Sequence, residues 1–351
     1  MTYIAKPKVH HPSLQKNAIG LTRRDYEGAI TTLCAGCGHD SITAAIIQAF
    51  WELSLPPHSV AKLSGIGCSS KTPAYFLREA HGFNGVHGRM PAIATGAGAA
   101  NASLMMLGVS GDGDSLSIGL GQLSHAIRRN VNMLYVLENN GVYGLTKGQF
   151  SASSDPGSTS KRGEANTMAA IDGVLLALTL GATFVARSFS GDKAQLVPIL
   201  KAGLAHRGFA FVDVISPCVT FNDHEGSTKS YAYTREHQVE VVHADFVARR
   251  EEITSEQDAG TVRNVMLHDG SWVKLHKVAA DYDATDRDRA YGYIRDRHKA
   301  GEVLTGLLYI SSDANDMAAQ NHLVEAPLYN LPFEQLCPGN AQLQKLQERF
   351  R

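Results

Sequence analysis

The chain has 351 residues with 33 basic and 34 acidic side chains, a net charge of −1 and a pI near 6.9, so no charge excess points to a nucleic-acid or membrane surface. A hydrophobic fraction of 44% with 19% charged residues fits a globular chain that buries a full core, while no apolar run reaches transmembrane length and the start at Met1-Thr2-Tyr3-Ile4 lacks a signal-peptide core. The expected location is cytoplasmic, and five cysteines in a reducing compartment suggest metal or redox chemistry rather than a disulfide framework.

Residues 1–30, with Pro7 and Pro12 and no clear period, read as an arm that could lie on a partner. Leu33 to Asp40 (LCAGCGHD) is a CxxC with glycines, followed by a helical pattern from Ile42 to Leu53. Val60–Leu63 reads as a short strand leading into Gly65-Ile66-Gly67-Cys68-Ser69-Ser70-Lys71, a loop of small residues whose backbone a large anion can approach. Thr72–Arg78 looks helical, Phe83–Val86 is a second short strand ending at His87-Gly88-Arg89, and Pro91 starts a helix over Ala92–Ala102. The apolar runs Leu104–Val109 and Val131–Leu137 read as buried strands joined by a helix over Ser117–Arg129. Thr146–Asn166 reads as a mobile surface loop or lid.

Two further α/β steps follow: helices Ala169–Leu180 and Lys193–His206, strands Thr183–Arg187 and Ala210–Val214, the last delivering Ser216-Pro217-Cys218 to the sheet edge. Beyond Gly226 the pattern weakens. A hairpin is predicted over Val262–Leu267 and Trp272–Leu275 around Asp269-Gly270, Asp281–Arg297 reads as a charged solvated face or interface, and Pro327–Pro338 as an extended clamp. The fold class is thus α/β, a mostly parallel sheet flanked by helices, divided into an arm (1–30), an α/β domain (31–225) and an irregular C-terminal extension (226–351).

Chemistry concentrates at two turns. Gly111-Asp112-Gly113-Asp114 follows one buried strand and Asn139-Asn140-Gly141-Val142-Tyr143-Gly144 follows the next, so both lie at the C-terminal edge of a parallel sheet, where ligands bind. Glycine admits phosphate oxygens to backbone N–H groups, and Asp112 and Asn140 are hard oxygen donors of the kind Mg²⁺ takes beside phosphates. The 25 residues between the turns (Asp114 to Glu138) suffice for one crossover helix and a strand. The pair resembles the GDG…NN motif of thiamine diphosphate enzymes.

Cys34, Cys37, Cys68 and Cys218 fall on three separate loops. From the residues alone, structural zinc, a 4Fe–4S cluster and thiol exchange all stay open. The neighbouring diphosphate motif favours a cluster, because thiamine diphosphate chemistry on a 2-oxo acid leaves electrons that zinc cannot accept. If the loop at Ile66–Ser69 also touches the cofactor, Cys68 lies within about 10 Å of it, at ~3.6 Å per residue. Cys337 is left over and reads as a buried structural thiol; His39 and His125 read as structural histidines.

From Leu33 to Asp223 the chain resembles the β subunit of 2-oxoacid:ferredoxin oxidoreductases, through LCAGCGHD, GIGCSSK, HGR, GDGDSLSIG, ENNGVYGLTKGQF and SPC followed by FND. The resemblance implies the diphosphate-type domain of the thiamine diphosphate-binding fold. It also implies a 4Fe–4S cluster on Cys34, Cys37, Cys68 and Cys218, and Mg²⁺ on Asp112, Asn140 and the carbonyl of Val142. Cofactor contacts would come from Ile66, Gly67, Cys68, Ser69, His87, Gly113, Asp114, Gly144 and Leu145, with Lys71, Lys147 and Leu145 facing substrate. Val219 departs from the proline that many relatives carry there, and no clustered CxxCxxC stretch is present for further clusters. The carboxylate that activates the coenzyme's aminopyrimidine has no candidate domain here, so an α subunit is expected to supply it. The implied activity is CoA-dependent oxidative decarboxylation of a 2-oxo acid, 2-oxoglutarate first and pyruvate next, with electrons passed to ferredoxin by a dimer of heterodimers. A cluster-free thiamine diphosphate decarboxylase subunit with structural zinc, and a non-enzymatic subunit with a relic site, are the alternatives.

Overall fold

The computed structural model describes residues 11–160, 163–247, 262–266, 272–277, 279, 282–312, 315–337 and 339–350. Its first helix, α1 (Gly38–Glu52), buries Ile42, Ala45, Ile46, Ala49 and Phe50, a stripe at the i, i+3, i+4, i+7, i+8 spacing of one helix face. Strand β1 (Val60–Ser64) is buried along its whole length, and β2 (His81–Asn84) pairs with it as an exposed edge, two residues earlier than the sequence suggests. Between them, Ser69–Ala74 is a 3-10 turn rather than the expected helix from Thr72, since Pro73 cannot donate to an α-helical ladder. Helix α2 (Met90–Ala100), with Pro91 in its first turn, leads to β3 (Met105–Gly111).

The chain then makes one wide π-helical turn, Gly113–Ile118, closed by the Gly119 N–H on the Asp114 carbonyl at 2.7 Å, before α3 (Leu120–Arg128) and β4 (Met133–Asn139). A small hairpin of β5 (Val142–Tyr143) and β6 (Gln149–Phe150) follows. Helix α4 (Gly173–Leu180) starts at Gly173 because Asp172 accepts the Val174 and Leu175 N–H groups, and it ends on Gly181 in the left-handed region. Then come β7 (Phe184–Phe189), α5 (Lys193–Ala205) and β8 (Phe209–Ile215).

Sequence beyond Gly226 does not stand apart from this sheet. After α6 (Tyr231–His237), the strands β9 (Gln238–Val247), β10 (Val262–Met266), β11 (Trp272–Lys277) and, beyond helix α7 (Arg287–Lys299), β12 (Val303–Ile310) extend it to ten strands in the order β2-β1-β3-β4-β8-β7-β12-β9-β11-β10. The six from β2 to β7 run parallel; β12 is antiparallel to β7, and β9, β11 and β10 form an antiparallel meander. The turn of the predicted hairpin, 267–271, lies outside the described residues. Helix α7 is charged outward but buries Ala290 and Ile294, so it is more than a solvated face.

Short helices α8 (Met317–Gln320), α9 (Phe333–Leu336) and α10 (Gly339–Glu348) end the chain, the last two with no buried residue. Cys337 lies there and is exposed, not buried, because that tail does not pack on the core. Tyr26, in the N-terminal arm, is fully buried, and its neighbours Glu27 and Gly28 bond to the backbone of Phe76 and Tyr75. Among the described residues no helix is long and apolar enough to cross a membrane.

Register places the site. Ser64 pairs with Val109, Gly111 with Glu138, and Asn139 with Ile215, so β1, β3, β4 and β8 end together. The loops that leave these ends carry Ile66–Lys71, Asp112–Asp114, Asn140–Val142 and Ser216–Cys218.

Candidate active site

These loops enclose a cleft of about 150 Å³ lined by Ile66, Gly67, Cys68, Ser69, His87, Asp112, Gly113, Asp114, Asn140, Val142, Gly144 and Leu145, together with His39, Gly111, Tyr143 and Thr146. All predicted coenzyme and Mg²⁺ residues therefore share one cavity. Lys71 and Lys147 do not line it. Lys147 is exposed in the left-handed region, and Lys71 is half-buried on the cysteine side.

Asp114 ties three loops together. Its Oδ1 accepts the N–H of Ile66 (3.1 Å) and of Gly88 (2.8 Å) and meets the His87 ring, while Oδ2 accepts the Ser110 hydroxyl at 2.7 Å. Asp112, one turn earlier and equally buried, is held by Ser153 at 2.6 Å and by Ser151 on Oδ2, and by the Asn140 N–H at 3.4 Å on Oδ1. Burial pushes its carboxyl up against these donors, so a cation at this point would relieve an unfavourable charge. The Asn140 side-chain oxygen accepts the Val142 N–H (3.0 Å), and Asn222 grips the Asn140 carbonyl (2.8 Å).

The residues fit a metal-bridged diphosphate. Asp112, Asn140 and the nearby carbonyl of Val142 are hard oxygens. Ser69 is 2% exposed, and its hydroxyl is buried without a partner, a spare donor beside Gly111. Gly113 is obligatory, because a Cβ there would lie 2.4 Å from the Tyr143 ring.

The thiols gather on the same wall. A Cβ at Gly144 would sit 3.3 Å from the Cys68 sulfur and 3.7 Å from the Cys218 sulfur, so these two flank Gly144. Among the described residues no three His, Cys, Asp or Glu side chains converge as a single-ion site. Burial pushes the Cys37 thiol up to about 12, and burial followed by the Cys218 sulfur raises Cys68, with Lys71 pulling the other way. A thiol-exchange dithiol requires the opposite shift. His39, fully buried and lowered to about 4 by desolvation, stays neutral; it bonds Ser216 at 2.6 Å and reaches the Asn140 amide at 3.5 Å, joining the cysteine loop to the diphosphate turn.

Sequence reasoning missed Ser151, Ser153 and Asn222. Ser151, Ser153 and Ser154 lie in the segment expected to be a surface loop, yet all three are buried, because Asp112 and the Gly141 carbonyl draw their hydroxyls inward.

The fold and this cleft define a thiamine diphosphate-binding domain, and the family described as thiamine pyrophosphate enzyme, C-terminal TPP binding domain, matches residues 65–214. The 2-oxoglutarate oxidoreductase subunit KorB of Mycobacterium tuberculosis is 36% identical over 337 residues, covering 90% of this chain and 87% of its own. The 2-oxoacid:ferredoxin oxidoreductase subunit beta of Saccharolobus solfataricus is 44% identical over 191 residues, covering 54% of this chain and 63% of its own. The solved 2-oxoglutarate:ferredoxin oxidoreductase from Magnetococcus marinus, with 2-oxoglutarate, coenzyme A and succinyl-CoA bound, superposes with a TM-score of 0.70 at 30% identity, covering 89% of this chain and 92% of that one. The chain belongs to the β subunits of the 2-oxoacid:ferredoxin oxidoreductases, a family of oxidoreductases.

Proposed function

We propose that this chain is the β subunit of a 2-oxoglutarate:ferredoxin oxidoreductase, which converts 2-oxoglutarate and CoA to succinyl-CoA and CO₂ and passes two electrons to ferredoxin. One observation carries the reading: Cys68 lines the diphosphate cleft and also faces Cys218 across Gly144. Coenzyme and cluster would then share one loop. Asp112, Asn140 and the Val142 carbonyl would hold Mg²⁺, the Ser69 hydroxyl and the Gly113 turn would receive the diphosphate, and Asp114 fixes the walls around it. The four thiols would hold a 4Fe–4S cluster. A cluster is preferred to one tetrahedral zinc because the thiamine diphosphate reaction releases electrons that zinc cannot accept.

When bound, thiamine diphosphate would supply a nucleophilic carbon for the 2-oxo group and an electron sink for the loss of CO₂, and a cluster would accept electrons singly. This chain's own contribution is to orient the diphosphate, to keep the floor of the cleft dry, and to place Cys68 against it. The pyrimidine-side carboxylate would come from an α subunit docking over the mouth, where the exposed apolar side chains of Val86, Ile118 and Leu145 stand. A dimer of such heterodimers is the expected assembly.

The test is a copurified complex of this chain with its α subunit, assayed for CoA-dependent reduction of ferredoxin with 2-oxoglutarate and with pyruvate. Iron and zinc are measured on the same sample. Zinc without iron, or turnover by this chain alone, would overturn the proposal.

A further inference from the structure

A continuous chain of side-chain bonds runs from Asp112 away from the cleft to helix α7. Arg187, 5% exposed on β7, donates through Nε to Asp213 Oδ2 at 2.9 Å, through Nη2 to Asp172 at 2.8 Å, and lies 3.0 Å from His298 Nε2. Asp213, fully buried on β8, therefore presents its other oxygen in a fixed direction, and the Asn139 amide donates to it at 3.1 Å. An ionised carboxylate only accepts, so Asn139 must turn its NH₂ toward Asp213 and its oxygen toward Ser153, 2.8 Å away. The Ser153 hydroxyl has one hydrogen and two close acceptors, Asn139 Oδ1 at 2.8 Å and Asp112 Oδ2 at 2.6 Å, with the Ser151 hydroxyl oxygen farther off at 3.3 Å and itself bonded to Asp112 Oδ2.

We propose that Arg187 and Asp213 are positioning residues for the metal site: by fixing the Asn139 amide they give the Ser153 hydrogen a second close acceptor, so that Ser153 gives up Asp112 Oδ2 when a divalent cation arrives and leaves Ser151 as the hydroxyl donor on that oxygen. The inference rests on the reading of Asp112 as a Mg²⁺ ligand. With Asn139 reversed, its NH₂ would donate to Ser153, the serine hydrogen would keep Asp112 as its one close acceptor, and it would compete with the cation. Arg187, Asp213, Asn139 and Ser153 do not line the coenzyme cleft, and the ion pair sits beside a separate cavity of about 250 Å³ lined also by Lys229 and Glu302.

The experiment is calorimetric titration of Mg²⁺ into the metal-free αβ complex with saturating thiamine diphosphate. Asp213→Asn, which frees the Asn139 amide to reverse, is expected to weaken Mg²⁺ binding about 10-fold while turnover at saturating Mg²⁺ stays within 2-fold. On a Ser153→Ala background the same change should have no effect, because the hydroxyl through which the Asn139 amide acts on Asp112 is gone, while Ser151 bonds Oδ2 alike in both chains. A purely structural role would weaken binding equally on both backgrounds, and that result, or unchanged Mg²⁺ affinity in Asp213→Asn, overturns the inference. Should Asp213→Asn fail to assemble, Ser153→Ala decides alone: affinity equal to or tighter than wild type supports the proposal, and a loss of 3-fold or more refutes it. If the wild-type complex takes up no Mg²⁺ with the coenzyme, it is the assignment of Asp112 as a ligand that has failed.

Discussion

Asp114 offers the sharpest test of how the cleft is held. It is 3% exposed, and every group around its carboxylate is a donor or can be one: the Ile66 and Gly88 N–H groups, the Ser110 hydroxyl and the His87 ring. In Asp114→Asn the shape survives, but the amide oxygen can take only one side. The best arrangement keeps oxygen toward Ile66 and Gly88 and turns NH₂ toward Ser110, whose hydroxyl must then reverse. Three bonds to a charged acceptor, at roughly 1.5–3 kcal/mol each, become neutral bonds at about 0.5–1.5, a loss on the order of 3 kcal/mol. For a chain of this length the unfolding entropy converts that to a melting decrease of ~4 °C. Asp114→Ala removes all three bonds and leaves two buried N–H groups unpaired, which exceeds ~5 kcal/mol and approaches the whole stability of a domain. Melting of the apo complex followed by circular dichroism should therefore rank wild type above Asp114→Asn, with Asp114→Ala failing to accumulate. An Asn variant that melts with wild type, or an Ala variant no worse than Asn, would show that the carboxylate does not bind the three loops together.

Gly144→Leu would extend a bulky side chain from a Cβ position 3.3 Å from the Cys68 sulfur and 3.7 Å from that of Cys218, and iron per complex should fall below half of wild type; full iron content would contradict a cluster at this wall. Gly113→Ala drives a methyl to 2.4 Å from the Tyr143 ring, so thiamine diphosphate affinity should drop at least 10-fold, and a Tyr143→Leu change in the same chain should recover part of it. Lys62 is buried with its ammonium on the Pro73 and Phe76 carbonyls, and burial lowers it to about 8. An unfolded chain holds that proton to about pH 10.4, so it binds more protons than the native state across that window, and wild-type stability relative to Lys62→Met should rise by up to roughly 3 kcal/mol from pH 7.5 to 10.5 in urea melts; a constant difference would disprove the shift.

The parallel half of the sheet, apart from its exposed edge β2, was legible because its strands are buried and their sequences are mostly apolar runs. Leu104–Val109, Val131–Leu137 and Ala210–Val214 match β3, β4 and β8 closely, and the strands run on past them through Ser110, Gly111, Glu138 and Asn139. Those polar ends read as turns in sequence, yet they keep strand geometry because their backbones still pair with the neighbouring strands, Gly111 with Glu138 and Asn139 with Ile215. The reversed strand β12 is the clearest omission. Its run Val303–Ile310 is fully buried, but Thr305 and Gly306 interrupt it and charged segments flank it, and only the fold shows that β12 lies between β7 and β9.

The site divides along a different line. Gly113 and Gly144 announce themselves in sequence because each is glycine for a steric reason, one against an aromatic ring and one between two sulfurs. A serine that solvates a buried carboxylate has no such mark; Ser151, Ser153 and Ser154 look like any polar loop until Asp112 is placed beneath them. Their burial changes what the loop can do. The hydroxyls of Ser151 and Ser153 bond Asp112 Oδ2, and Ser154 bonds the Gly141 carbonyl, so lifting this segment would strip two donors from a carboxyl that burial already disfavours as an ion. Opening would thus cost several kcal/mol at the position where charge must be held most firmly. Within the segment expected to be a lid, the turn at Ser151–Ser154 is instead packed against Asp112 and Gly141, so movement there is opposed, while Thr146 and Lys147 beside Leu145 stay exposed.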